Sequence, residues 1–417
     1  MFNAGSYIEE GDMGFFIPGK RVVLGVSGGI AAYKAAELVR LLIKDEALVR
    51  VLMTENACRF VGPITFEALS QQRVCRTLFE ISDEAAVQHI HWAKEADAVV
   101  LAPATANIIG KLAAGIADDA LSTFMLAVTC PVLICPAMNT DMYQSRQVQH
   151  NIERLKSFGY KILEPGSGEL ACGTVGPGRL PEPAIIMDAV RALFQPKDFC
   201  GRRVLITAGP TREAIDPVRF ITNPSSGKMG YAIAQIAAMR GAEVTLISGP
   251  TALAPPAGVR LIQVTTAAEM ASAALAEMDT HQVIIKTAAV ADFRPAEVSD
   301  LKIKKQDAAM TINLERTQDI LKALGASKKG QILVGFAAET HDMVSYAKAK
   351  LEAKNLDMIV ANLIGAPEAG FQADTNRATL FFRDGRQEQI ELMPKIDLAG
   401  VVLDRICALI ASVETPA

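Results

Sequence analysis

The chain has 417 residues, half of them apolar, a formal net charge of −4 and seven cysteines. Such a length favours two or three domains with large cores, and a near-neutral charge without a basic block argues against a nucleic-acid partner. The cysteines lack C-x-x-C pairing and so indicate neither a disulfide framework nor a zinc site, which fits a reducing cytoplasm; no apolar run is long enough to cross a membrane.

The first twenty residues carry acids, lack the charged-then-apolar pattern of a leader, and read as a poorly ordered extension. Arg21–Ser27 (RVVLGVS) predicts a strand, Gly28 and Gly29 a turn, and Ile30–Lys44 an amphipathic helix. Glycines between strand and helix let a phosphate reach backbone N–H groups at the helix N-terminus. The spacing is not the G-x-G-x-x-G of dinucleotide binders, and a plain turn explains GVSGGIAAYK equally well. Val49–Met53 is a second strand, ending at Thr54, where open α/β sheets bind ligands. A helical stretch with His89 and His91 precedes a strand at Asp97–Ala102 that runs into Ala104, Thr105 and Asn107; Pro131–Cys135 is another strand, leading to Met138 and Asn139. Pro165–Pro181 is rich in glycine and poor in core residues, which predicts a mobile loop or lid carrying Cys172. The other cysteines read as small hydrophobes or residues without a partner pattern.

A linker at Gln195-Pro196-Lys197-Asp198 precedes a fresh α/β unit. Its strand at Val204–Thr207 passes into a loop with Gly209, Pro210 and Thr211; a turn at Asn223–Gly227 then leads to a helix beginning near Met229 and a strand at Glu243–Ile247. Hydroxyls and backbone donors at that helix start suit an anion, but the spacing is not a Walker loop. Val283–Lys286 is a strand leading into Ala288–Phe293, whose small residues admit a ligand closely. Lys302, Lys304 and Lys305 alone read as a solvated face, and Lys350 and Lys354 stand one helical turn apart on one face.

GVSGGIAAYK, His89-Ile90, APATAN, PAMN and Gly168–Gly178 together resemble the flavin-containing cysteine decarboxylases, specifically phosphopantothenoylcysteine decarboxylase. TAGPTRE, DPVRFITNPSSGKMG, AAVADFRP, KIKK and GFAAET resemble phosphopantothenate–cysteine ligase, and the fused order is that of the bacterial bifunctional enzymes of coenzyme A biosynthesis. The resemblance implies an extension over 1–20, a flavodoxin-like or Rossmann-like flavin domain over 21–195 and a Rossmann-like ligase domain over 199–417. It implies FMN near Ser27, Gly28, Gly29, Thr54, Ala104 and Thr105, with His89 assisting an oxidation, Asn139 holding the substrate carboxylate and Cys172 donating a proton. It places CTP at Ala289, Asp292, Lys302, Thr317, Gln318, Asp319, Ile320, Phe336, Lys350 and Lys354, with Mg²⁺ and with Asn223 and Lys302 in catalytic roles. Where Lys286 stands, the family usually has an apolar or small residue. Trimers of flavin domains joined through ligase dimers, up to a dodecamer, are the implied assembly.

The implied chemistry is self-consistent. A cysteinyl carboxyl has no carbonyl beta to it to accept electrons, so hydride loss to a flavin, giving a thioaldehyde, must precede loss of CO₂ as an ene-thiolate. The carboxylate of 4′-phosphopantothenate is a poor electrophile, so CTP activates it as an acyl-cytidylate before L-cysteine attacks to give 4′-phosphopantothenoylcysteine. The competing expectations are a nicotinamide-dependent oxidoreductase, weakened by the missing dinucleotide fingerprint, and a regulatory flavin-binding protein without turnover. Against the second stand His89, Asn139 and Cys172 together, and the entire second half.

Overall fold

A computed structural model describes residues 17–77, 88–170, 173–304, 311–339, 343–363 and 373–414. The chain divides into two compact units, Phe16–Gln195 and Pro196–Ala417. Both are α/β, as the alternation of short apolar strands with amphipathic helices requires.

In the first unit, β1 (Arg21–Val26), β2 (Leu48–Met53), β3 (Ala98–Ala104), β4 (Val132–Pro136) and β5 (Lys161–Ile162) form a parallel sheet in the order β2-β1-β3-β4-β5. Its helices are α1 (Ala32–Lys44), α2 (Pro63–Ser70), α3 (Gln88–Glu95), α4 (Ala106–Ala114), α5 (Ala120–Ala127), α6 (Thr140–Gln144), α7 (Arg146–Ser157) and α8 (Pro183–Phe194). A parallel sheet must be covered on both faces, and β1 divides its side chains accordingly. Val22, Leu24 and Val26 pack with Leu38, Leu42, Ile186 and Val190 of α1 and α8, while Val23 joins Ile108, Phe124 and Ile152 of α4, α5 and α7.

Two expectations for this unit change. Ile17 is buried in the core and the Gly19 amide donates to Glu46 O at 2.9 Å, so packed structure begins inside the stretch read as an extension; residues 1–16 lie outside the described ones. The stretch Pro165–Pro181 is no unstructured loop: β6 (Gly166–Glu169) and β7 (Val175–Arg179) pair as an antiparallel hairpin. Two of its glycines, Gly176 and Gly178, are required by close packing. Gly178 has φ +134°, and a Cβ there would fall 2.2 Å from the Met138 carbonyl oxygen. The Met138 amide donates to Gly178 O at 3.0 Å, which seats the hairpin on the turn that follows β4.

The second unit carries an eight-stranded sheet in the order β12-β11-β8-β13-β16-β17-β18-β19. These are β8 (Arg203–Ala208), β11 (Glu243–Ser248), β12 (Arg260–Gln263), β13 (Val283–Lys286), β16 (Ile332–Glu339), β17 (Met358–Leu363), β18 (Thr375–Phe382) and β19 (Gln387–Pro394). All neighbours are parallel except β17-β18 and β18-β19, an antiparallel meander that the sequence reading did not foresee. Two small hairpins, β9 (Arg212–Ala214) with β10 (Phe220–Thr222) and β14 (Phe293–Pro295) with β15 (Leu314–Arg316), stand apart from it. Helices α9 (Lys228–Met239) and α13 (Lys395–Glu414) cover one face; α10 (Ala267–Met278), α11 (Ile320–Ser327) and α12 (Met343–Ala353) cover the other.

The stretch read as a linker is partly built into this unit. Arg240, only 3% exposed, donates through Nε to Asp198 Oδ1 at 2.9 Å and through Nη1 to Asp404 Oδ1 at 2.5 Å, with its guanidinium over the Phe199 ring.

Candidate functional site

In each unit a large cavity lies at the C-terminal edge of the parallel strands, the edge where open α/β sheets take ligands. In the first unit β1 lies between β2 and β3, so successive connections leave it in opposite directions and a crevice opens there. The cavity holds about 1030 Å³ and is lined by the turns after β1, β2, β3 and β4, with the hairpin as a further wall.

Ser27, 2% exposed, forms its floor. The Ser27 hydroxyl donates to Pro103 O at 2.8 Å and accepts the Thr105 amide at 2.9 Å, binding the end of β1 to the end of β3. Gly28 is required by the next turn, since a Cβ there would sit 2.4 Å from Asn56 Cβ and 2.7 Å from Asn56 C. Thr54 accepts the Ala57 amide at 3.2 Å and shapes the turn after β2. Ser27, Gly28, Gly29, Thr54, Thr105 and Asn139 all line the cavity; Ala104 is fully buried in β3 beneath it.

Asn139 caps α6, its Oδ1 accepting the Asp141 amide at 2.8 Å, while its Nδ2 donates to Thr174 Oγ1 on the hairpin at 3.5 Å. Cys172 falls in sequence between β6 and β7 and lies outside the described residues. His89 belongs to α3 by its backbone; its side chain also lies outside them.

The sequence reading missed the charged groups of this cavity. Lys34, in α1, donates to Leu180 O at 3.2 Å and to Glu182 Oε1 at 2.9 Å, which holds the Glu182 carboxyl below its usual range. Lys111 is held between Asp118 at 2.6 Å and Asp119 at 2.8 Å, and the two carboxylates raise its pKa. Lys34 closes the very motif GVSGGIAAYK, so proximity to the glycine turn was the available signal.

The cavity of the second unit holds about 680 Å³ and gathers residues from the ends of β13, β16 and β17 and the starts of α9 and α11. The turn after β13 is fixed by main-chain bonds: the Ala289 amide donates to Gly209 O at 3.0 Å, the Ala291 amide to Thr211 Oγ1 at 3.0 Å and the Thr317 hydroxyl to Ala291 O at 2.6 Å. Asn223 donates to Val290 O at 3.0 Å and so joins the Asn223–Gly227 turn to the same loop. Asn223, Ala289, Asp292, Thr317, Gln318, Asp319, Ile320, Phe336, Lys350 and Lys354 all line this cavity.

Lys302 does not line it. It is exposed on a segment whose next residue is anchored at Asp216: the Ile303 amide donates to Asp216 Oδ2 at 3.2 Å and Arg219 Nη2 donates to Ile303 O at 2.9 Å. The Arg219 guanidinium and adjacent amides hold the Asp216 carboxyl well below the usual range. Lys304 is exposed on the same segment and Lys305 lies outside the described residues.

Here too the sequence left cations unassigned to the cavity: Lys228, Arg316 and Lys395 line it with Lys350 and Lys354, and so does Lys286, noted in the sequence only as a departure from the family pattern. Burial and neighbouring lysines lower the pKa of Lys286 to about 8, and burial, then Lys228, lowers that of Lys395. Lys228 sits inside NPSSGKMG and was legible there; Lys395 and Asn376 come from distant elements with no motif around them. Among the described residues no group of three or more His, Cys, Asp or Glu side chains is placed to hold a metal, and no helix is long and apolar enough to cross a membrane.

Comparison with known proteins agrees with this division. Residues 17–195 match the family described as Flavoprotein, and residues 199–410 match the DNA/pantothenate metabolism flavoprotein C-terminal domain. A crystal structure of the C-terminal domain of a coenzyme A biosynthesis bifunctional protein CoaBC is 47% identical, covers 52% of this chain and 99% of that one, and gives a TM-score of 0.45. The Escherichia coli (strain K12) coenzyme A biosynthesis bifunctional protein CoaBC is 47% identical over 94% of this chain and 97% of its own length. The Bacillus subtilis (strain 168) protein of the same description is 53% identical over 94% of this chain and 97% of its own. With both cavities falling inside the matched segments, the chain belongs to the family of bifunctional coenzyme A biosynthesis proteins CoaBC.

Proposed function

We propose that the second unit ligates L-cysteine to 4′-phosphopantothenate with CTP, and that the first unit decarboxylates the resulting 4′-phosphopantothenoylcysteine to 4′-phosphopantetheine with FMN. The observation that carries this reading is the contrast in cavity chemistry within one family member. One cavity has apolar walls, from Ile30, Met138, Met142 and Leu180, and a glycine-lined turn; the other is crowded with lysines.

The residues of the first cavity fit a flavin mononucleotide. Gly28 and Gly29 line the cavity after β1 without side chains to cover their backbone, which suits a phosphate, and the apolar walls suit a ring system. When bound, a flavin supplies the two-electron acceptor that decarboxylation of an unactivated cysteinyl carboxyl needs. The chain does the rest. Asn139, its Oδ1 accepting the Asp141 amide, holds the substrate carboxylate through Nδ2, the group that donates to Thr174 Oγ1 on the hairpin in this structure. Cys172 delivers a proton to carbon after CO₂ has left, and His89 assists the initial oxidation. The domains separate at residues 195–199, and the fitting location is the cytoplasm, with flavin domains in trimers and ligase domains in dimers.

In the second cavity a carboxylate oxygen of 4′-phosphopantothenate attacks the α-phosphorus of CTP, which enters as its Mg²⁺ complex. The bond from that phosphorus to the bridging oxygen breaks, and pyrophosphate leaves. The cysteine amine then attacks the acyl carbon and CMP departs. Lysines at the cavity and Lys302 on its anchored segment neutralise the charge that grows on the leaving phosphates. Asn223 orients the acyl group through the amide that now bonds Val290 O.

The test is incubation of the flavin-loaded full chain with 4′-phosphopantothenate, L-cysteine, CTP and Mg²⁺, with products identified by mass. The expected product is 4′-phosphopantetheine with release of CO₂, CMP and pyrophosphate. Failure of both half-reactions in folded, yellow protein overturns the reading.

A further inference from the structure

Lys286 ends β13, a strand whose preceding residues Val283, Ile284 and Ile285 are all buried. Along a strand Ile284 and Lys286 share one face, and Ile284 belongs to the apolar cluster under α10, α11 and α12. The lysine therefore leaves the core on the α11 and α12 side, lines the cavity, and donates from Nζ to Ala288 O at 2.8 Å. The charged groups around it are Lys350 on α12, Lys354 just past its end, Asp319 at the N-cap of α11 and Asp292 on the loop after β13. Lys354 is paired with Asp319 at 2.9 Å.

An ammonium carries three donors, and Lys286, half-buried at the cavity wall, gives one of them to a carbonyl oxygen, which leaves donors for a ligand in the cavity. Burying a cation costs most where no full countercharge meets it. Three lysines, Lys286, Lys350 and Lys354, meet two carboxylates here, and one of those, Asp319, is already paired with Lys354, so the cluster is short of negative charge. A ligand rich in acceptor oxygens removes that shortage.

We propose that Lys286 is a direct nucleotide contact in this cavity, donating from Nζ to an acceptor oxygen of CTP beside Lys350 and Lys354. The inference rests on the reading of this cavity as the CTP site. It adds a linked proton. With a pKa near 8 in the free protein, Lys286 is about half neutral at pH 8, and a bound acceptor favours its charged form, so binding draws in about half a proton. Above that pH nucleotide affinity falls, because the ammonium must first be made.

The experiment is calorimetric titration of the full chain with Mg²⁺-CTP, CMP and cytidine at pH 8, in two buffers of different ionisation enthalpy, for the unaltered protein, Lys286→Met and Lys286→Arg. Lys286→Met is expected to weaken CTP about 10- to 100-fold, the range for a hydrogen bond to a charged group, and to abolish the proton uptake. Lys286→Arg is expected to keep affinity within a few-fold, without uptake. A loss of affinity shared by cytidine assigns the contact to the base carbonyl; a loss confined to CMP and CTP assigns it to phosphate. A cooperative calorimetric unfolding transition of the second unit, measured without nucleotide, reports that both variants fold. Unchanged affinity in Lys286→Met, or an unchanged proton count, overturns the inference alone. Absence of CTP binding by the unaltered chain overturns the reading of the cavity and the inference with it.

Discussion

The two cavities sit at equivalent edges of two parallel sheets and yet treat charge in opposite ways. In the first, basic side chains are closed off within the protein: Lys34 against Glu182, and Lys111 against Asp118 and Asp119. In the second, Lys228, Lys286, Arg316, Lys350, Lys354 and Lys395 line the space against Asp292 and Asp319; Lys228 also pairs with Asp374 and Lys354 with Asp319, so cations outnumber the acids they meet. Burial lowers the pKa of Lys286 and Lys395, whereas the carboxylates raise that of Lys111. A site whose own charges are satisfied suits a ligand that is mainly a neutral ring, and a site with surplus cations spends folding stability on a polyanion still to arrive. The same sheet architecture thus accommodates both chemistries, and the side chains at the strand ends decide between them.

The strongest way to break this comparison acts on the first cavity alone. Cys172→Ser should lower decarboxylation turnover by at least about 100-fold, the lower end for loss of a positioned proton donor, because a serine hydroxyl releases a proton far less readily than a thiol. CO₂ release should stop near one equivalent per site without oxygen, leaving an unsaturated thiol detectable by mass, while ligation proceeds normally. Multiple turnover to 4′-phosphopantetheine would assign the proton to another group.

On the second cavity, Lys302→Ala should cost the ligase about 10- to 100-fold in acyl-cytidylate formation, with decarboxylation intact. Asp216→Asn tests how the segment carrying Lys302 is held, since Asp216 binds Arg219 and the Ile303 amide. It should impair the same half-reaction without touching any cavity-lining residue. Full ligase activity in Asp216→Asn would show that the anchor is dispensable.

Stability separates the units next. Removing one partner from a buried ion pair typically costs about 3–5 kcal/mol, and Arg240 is buried between Asp198 and Asp404. A fragment beginning at Pro196 keeps Asp198, whereas one beginning at Phe199 loses it. Both should be colourless, and calorimetry should find the shorter one melting well below the longer. Equal melting temperatures would make the Asp198 contact superficial.

Lys286 has a pH signature of its own. Its pKa drops from 10.5 to about 8 in the folded chain, so the unfolded state binds more protons between those values and stability rises with pH there. Below pH 8 the full cost, about 3 kcal/mol for a shift of that size, is in force. Lys286→Met should therefore stabilise the nucleotide-free second unit at pH 7 and gain little at pH 10. A benefit that is the same at both pH values would show that the lysine is not strained by burial.

Much of this was legible in the sequence. Strand ends were placed within two residues where an apolar run met a turn, as at Val26, Met53, Ala208 and Lys286, because burial on both faces leaves an uninterrupted β-branched run. The ring of small and polar residues at those ends followed directly. What escaped had no such pattern. The β6-β7 hairpin alternates glycine with other residues and offers no apolar face, and β18 and β19 alternate weakly at the sheet edge. Lys111, Asn376 and Lys395 are ordinary helix or strand residues until the fold brings them to a cavity.

The mildest probe concerns the floor of the first cavity. Ser27→Ala removes the hydroxyl that donates to Pro103 O and accepts the Thr105 amide; Pro103 O keeps the Ser27 amide at 3.2 Å, whereas the Thr105 amide loses its partner. Leaving one buried polar group unsatisfied costs about 1–3 kcal/mol, and here the Thr105 hydroxyl, 3.1 Å from Ser27 Oγ, is close enough to recover part of the loss. A net cost of about 1–2 kcal/mol should therefore appear as a melting point a few degrees lower for the fragment ending at Gln195. Because the same hydroxyl holds β1 to β3 beneath the cavity, flavin content after purification should fall as well, and ligation in the full chain should be unaffected. Unchanged flavin content together with an unchanged melting point would reduce Ser27 to a replaceable core residue. An equal loss of ligation would mean that the two cavities do not act independently.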